Sequence, residues 1–250
     1  MKIYAVLILL HTLLLPALCK AEITSTLIKI EANSRNLSTI DAVREFVYKH
    51  SDHGDGDWNK TYASNATYVL DHLFRTAIGD KKAERPELLC GERSTAMQAI
   101  FDKLSIRTRT IYVFSNYAGT LMGHVFIEVM NPLTGSWEVQ DADYNVAYEN
   151  QKGRRLSIGN IIAEADFKNI TPVNATARGW NEAKAMPLMR GQFFNIAYSP
   201  TEGMLYYNQQ ALDTGLVTQV TDYIKKNHGP VNYTPSKIGN YIVRPLADKT

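Results

Sequence analysis

Residues 124–141 read HVFIEVMNPLTGSWEVQD, and their periodicity decides the fold class. Two runs rich in β-branched and aromatic residues, HVFIEVM and WEVQD, flank NPLTGS, where Pro132 and Gly135 supply turn chemistry. This pattern predicts two antiparallel strands joined by a hairpin that turns within residues 131–136. Upstream, TRTIYVFS (108–115) has the composition of a further strand. Before it the period changes. Ala96, Met97, Ile100, Phe101 and Leu104 recur at helical spacing, in a helix that begins at or just after Cys90. A helix followed by antiparallel strands predicts an α+β domain.

Two more helices precede that one. STIDAVREFVYKH opens with a capping pattern, Ser38 then Asp41, and continues with Val43, Phe46 and Val47. NATYVLDHLFRTAIG places Val69, Leu70, Leu73, Phe74 and Ala77 on one face, with Gly79 as its C-terminal cap. Between them, SDHGDGDWNK invites a calcium reading. Counted from Asp55, however, the sixth position is Lys60 and the twelfth is Ala66, so the EF-hand pattern fails twice. Past residue 150, SIGNIIAEA suggests a short helix and GQFFNIAYS a strand. GLVTQVTDYIKKNHG suggests a late helix with basic residues in its last turn and Gly229 behind it.

The N-terminus, MKIYAVLILLHTLLLPALCKA, has the architecture of a cleavable signal peptide over 1–21. It shows a short positive n-region at Lys2, an apolar run broken at Pro16, and small residues at Cys19 and Ala21. Residues 22–250 are then expected to form a single secreted or periplasmic domain without stable membrane association. The chain has 27 Lys and Arg against 25 Asp and Glu; losing Lys2 and Lys20 leaves 25 of each, so no nucleic-acid partner is indicated. Six sequons begin at Asn36, Asn59, Asn65, Asn169, Asn174 and Asn232.

Of two cysteines, Cys19 lies in the signal segment, which leaves Cys90 without an internal disulfide partner. It is either a buried inert residue or a nucleophile. Three features favour the second. A helix start offers partial positive charge that favours a thiolate. His124 opens a strand after a Gly-containing loop, and Asp141 ends the next strand, across the hairpin. Antiparallel pairing brings Asp141 beside His124, where it fixes the imidazole tautomer, and a thiolate at the other ring nitrogen completes a nucleophile, base and orienter.

CGERSTAMQAIFDKLSIRTRTIYV, HVFIEV and WEVQD, in that order, resemble the motifs of the transglutaminase-like cysteine enzymes, within the papain-like class. The resemblance covers about residues 65–150 and implies a nucleophile helix packed on an antiparallel sheet. Cys90, His124 and Asp141 would be the triad, acting on a peptide or protein substrate through a thioester without a cofactor or metal. A peptidase or amidase is the first expectation. A cross-linking acyltransferase and a catalytically silent binding module are the alternatives; an arylamine acetyltransferase fits the LLCGE context less well. The family pattern often continues D-P-T after the aspartate, whereas this chain has DADYNV, which makes Asp143 a rival to Asp141. The oxyanion hole would use the Cys90 backbone N–H and an upstream donor, with Trp58 and Tyr62 as candidates.

The remaining polar residues have plainer readings. Glu92 and Arg93 are expected in a solvated first turn or as a substrate-loop pair, and Glu128 as a structural partner. Tyr112, Phe114 and Phe126 are expected in the core. His53, His72 and His228 lack the spacing of a metal site.

Overall fold

The computed structural model describes residues 26, 28–29, 32–33, 38–54, 65–164, 167–173, 193–228, 236–238 and 241–245. The expected signal segment 1–21, Trp58, Tyr62, Gly229 and the sequon residues Asn36, Asn59, Asn174 and Asn232 lie outside them. Among the described residues, no helix is long and apolar enough to cross a membrane. The chain divides into two compact units, Met1–Ser105 and Ile106–Thr250.

The first unit is helical. Helix α1 (Thr39–His50) begins where the capping pattern predicts: Ser38 Oγ accepts from the Asp41 N–H at 3.0 Å. Strand β1 (Asp52–His53) follows, then α2 (Ala66–Ala77), whose N-cap Asn65 accepts from the Tyr68 N–H. Gly79 takes the left-handed φ of 74° that ends the helix without a Cβ clash. Strand β2 (Glu87–Leu88) pairs in parallel with β1 and delivers the chain to α3 (Cys90–Lys103). Val43, Phe46 and Val47 of α1, Val69, Leu73 and Phe74 of α2, and Met97, Ile100 and Phe101 of α3 are buried.

The second unit is built on an antiparallel sheet. Its strands are β3 (Thr108–Tyr117), β4 (Thr120–Asn131), β5 (Ser136–Gln140), β8 (Ile196–Ser199), β9 (Met204–Asn208), β10 (Ser236–Ile238) and β11 (Tyr241–Pro245). They lie in the order β10-β11-β9-β8-β3-β4-β5. A separate ladder pairs β6 (Ala147–Asn150) with β7 (Ile170–Val173). Among its described residues the unit also holds helices α4 (Ile158–Ala163), α5 (Gln209–Asp213) and α6 (Leu216–His228) and a 3-10 turn at Phe167–Asn169. The secondary structure is therefore mixed α+β, as expected.

Period-two alternation gives this sheet two apolar faces. On one, Ile111, Val113, Phe126, Val139, Ala197 and Tyr206 pack with α4 and with Val146 and Tyr148. On the other, Phe114, Ile196, Tyr198, Leu205 and Tyr207 pack with α5 and α6. Phe114 and Phe126 are thus core residues on opposite faces, while Tyr112 is half-buried against the second cluster.

The β4/β5 hairpin turns where the sequence places it, with Asn131 opposite Ser136. The start of β4 differs. His124 does not open the strand; β4 begins at Thr120, and Gly123 lies within it opposite Phe114. The cause is the two-residue turn Ala118-Gly119, with φ of 48° and 85°, which locks the β3/β4 register from Tyr117↔Thr120 onward. Ala118 holds a left-handed conformation disfavoured for a residue with a Cβ, although Asn116 Oδ1 supports the turn by accepting from the Gly119 N–H. Ala118→Asn should therefore raise stability by about 0.5–1 kcal/mol, because asparagine tolerates this conformation better. Denaturant titration should show a higher midpoint at unchanged slope.

Candidate active site

His124 and Asp141 meet within the second unit. Their Nε2 and Oδ2 atoms are 2.7 Å apart; the imidazole is almost wholly buried and the carboxylate fully so. The register of β4 and β5 explains why Asp141, rather than Asp143, takes this position. Ile127 faces Gln140, and there β5 ends. Asp141 instead bridges Val146 through paired backbone hydrogen bonds of 3.0 and 2.9 Å. The intervening loop is closed by Asn145 at φ 49°.

That loop also fixes the carboxylate. Asp141 Oδ1 accepts from the backbone N–H groups of Asp143, at 2.8 Å, and Tyr144, at 3.3 Å. One oxygen is held by the main chain and the other is presented to His124. Tyr144 further constrains the imidazole, its ring stacked at 4.8 Å and 25°. Phe126 and Phe193 lie 5.9 and 6.0 Å away, ring to ring. The pair is thus anchored by the loop, and three aromatic rings pack against the imidazole. The Tyr144 contact was not foreseen. Its only trace in the sequence is DADYN, an aspartate followed two residues on by turn-forming positions.

Cys90 belongs to the first unit, as the first residue of α3, and its side chain is partly exposed. The helix start is stabilised by Glu92, whose Oε2 accepts from the Leu89 N–H at 3.1 Å. Gly91 has open space where a Cβ would lie. Arg93 corrects the expectation of a solvated pair: it is 2 % exposed, donates to the Ser51 carbonyl at 3.3 Å and lies 5.7 Å from the Tyr48 ring. Helical spacing turns position 93 inward, toward α1, and leaves Glu92 at the helix end. The candidate oxyanion donors Trp58 and Tyr62 lie outside the described residues.

The other singled-out groups are structural. Glu128, fully buried, accepts from Arg109 Nε at 2.5 Å and from the Ile158 N–H at 2.6 Å, so it caps α4 and neutralises a buried guanidinium. Arg109 also pairs with Glu202 and lies 4.3 Å over the Trp137 ring. His72 packs on Tyr68, with a ring separation of 4.8 Å, and burial lowers its pKa. His228 packs against Tyr112, Tyr198 and Tyr223.

No protein-family model matches the chain, and no curated protein matches it.

Proposed function

We propose that this chain is an exported, transglutaminase-like cysteine enzyme that cleaves peptide or amide bonds through a thioester. The observation that carries the reading is the buried His124–Asp141 pair, with Asp141 fixed by two backbone amides so that only one oxygen serves the imidazole. Support also comes from Cys90, a partly exposed thiol at the first position of a helix and the sole cysteine beyond position 19.

In this mechanism His124 uses Nδ1 to take the thiol proton, while Asp141 holds Nε2 and supports the imidazolium. Cys90 Sγ forms a bond to the carbonyl carbon, and the tetrahedral centre collapses as the C–N bond breaks. His124 passes the proton to the departing amine. Water, deprotonated by His124, then attacks the thioester, releasing the acid and restoring the thiol. An amine in place of water would make the same centre a transferase.

Alkylation tests this reading. Native protein treated with iodoacetamide near pH 6 should be modified at Cys90, and mass spectrometry will locate the adduct. A Cys90 that stays unmodified until the protein is denatured would sink the enzyme reading and leave a binding module.

A further inference from the structure

The sheet face that carries His124 also holds a polar side chain without a hydrogen-bond partner among the described residues. Across the β3/β4 ladder His124 faces Val113, and Ser115 faces Met122. Directly opposed residues project to the same face, as do residues two apart in a strand. His124, Ser115 and Met122 therefore share one face, with Ser115 on the diagonal from His124. Ser115 is 3 % exposed, and its Oγ has no hydrogen-bond partner among the described residues. Its surroundings on that face are apolar, with Val113 on its own strand and Phe126 two residues beyond His124. Toward the hairpin tip the same face opens: Met122 is 47 % exposed and Tyr117 is 66 % exposed.

A buried hydroxyl without a partner destabilises a fold. Other buried hydroxyls lack a hydrogen-bond partner too, Thr76 Oγ1 and Ser199 Oγ among them; Ser199 is fully buried on β8, which β3 separates from β4. Ser115 differs in its place: it lies between the imidazole and the open end of the strip. We propose that Ser115 is a specificity-determining residue whose hydroxyl hydrogen-bonds a backbone amide of the acyl donor, so that the site selects peptide-like acyl groups over simple ones. The inference rests on the cysteine-enzyme reading above. A hydroxyl both donates and accepts, and so complements either half of an amide. The diagonal separation, about 7–8 Å between residues, matches about two residues of extended chain. A site that holds such a group discriminates sharply, because a donor lacking the amide leaves the hydroxyl unpaired.

Two activated esters separate the possibilities: p-nitrophenyl acetate, and the p-nitrophenyl ester of N-acetyl-glycylglycine. The burst of p-nitrophenol reports acylation. Ser115→Ala should slow acylation by the dipeptidyl ester about tenfold, a loss of about 1.4 kcal/mol, and leave the acetate rate unchanged. Ser115→Thr should restore the preference, and Ser199→Ala should alter neither rate. The melting temperature of Ser115→Ala should be unchanged or higher by about 2–4 °C, since an orphaned hydroxyl is gone. Equal slowing of both esters with a lower melting temperature would assign Ser115 a merely structural role and overturn the inference. So would identical ester ratios in the parent protein and Ser115→Ala. Absence of any burst in the parent protein, together with a Cys90 inert to iodoacetamide, overturns the cysteine-enzyme reading itself.

Discussion

Asp141→Asn should lower acylation by about 10³-fold, even though asparagine has the shape of aspartate. The reason lies in the loop, which decides how the new side chain would sit. Two backbone N–H groups, from Asp143 and Tyr144, point at the Oδ1 position. Only the asparagine carbonyl oxygen can accept them, so its amide NH₂ must occupy the Oδ2 position, 2.7 Å from His124 Nε2. Nε2 would then have to accept, which moves the ring proton to Nδ1, the nitrogen that must take the thiol proton. The imidazole is held in the wrong tautomer. Asp143→Asn, in contrast, should change acylation by less than about tenfold, because the carboxylate oxygen that meets His124 Nε2 belongs to Asp141. Burst kinetics on both variants will decide. Near-normal acylation in Asp141→Asn, or collapse in Asp143→Asn instead, would mean that His124 is oriented by something other than Asp141.

The difference between these two aspartates shows what the sequence could and could not say. Asp141 and Asp143 are two residues apart, so in a strand they project to the same face, and alternation alone does not separate them. The choice is made by the chain reversing at Asp141 to bridge Val146, a long-range event that leaves no periodic trace. The β4/β5 hairpin was legible because Pro132 and Gly135 mark its turn between two strand-like runs. The start of α3 was legible because Ala96, Met97, Ile100 and Phe101 keep a helical period. Strands β6, β7, β9, β10 and β11 were not read, since runs of three to five residues carry too little alternation to stand out. Arg93 was misread for a related reason: its charge suggested solvent, but helix geometry turned it inward to Ser51 and Tyr48. Charged residues enter a core where partners wait for them, and those partners came from another helix.

Partners of that kind set the largest expected stability effect, at Arg109. Its guanidinium is paired with two carboxylates, Glu128 at 2.5 Å and Glu202, and Glu202 accepts in turn from the Tyr206 hydroxyl. Arg109→Met keeps an unbranched side chain but removes the guanidinium that lies over Trp137, and it strands Glu128, which is fully buried. Breaking a buried pair in this way should destabilise the fold by about 3–5 kcal/mol near pH 8. The loss should shrink at low pH, and the sign follows from Glu128. Burial pushes its carboxyl above the usual range, while Arg109 and the Ile158 N–H pull it back. Removing Arg109 raises it further. A carboxyl whose folded pKa exceeds its unfolded value, about 4.3, contributes no penalty when protonated in both states. Stability is then lost as pH rises from the unfolded value through the folded one. The Arg109→Met defect should therefore grow as pH rises above the unfolded value of about 4.3 and through the raised folded one. Adding Glu128→Gln should flatten that dependence, because glutamine cannot ionise and its carbonyl oxygen can still accept from the Ile158 N–H. Chemical denaturation across this range will show it; a defect of constant size at every pH would place the penalty in lost packing over Trp137 rather than in a stranded Glu128 charge.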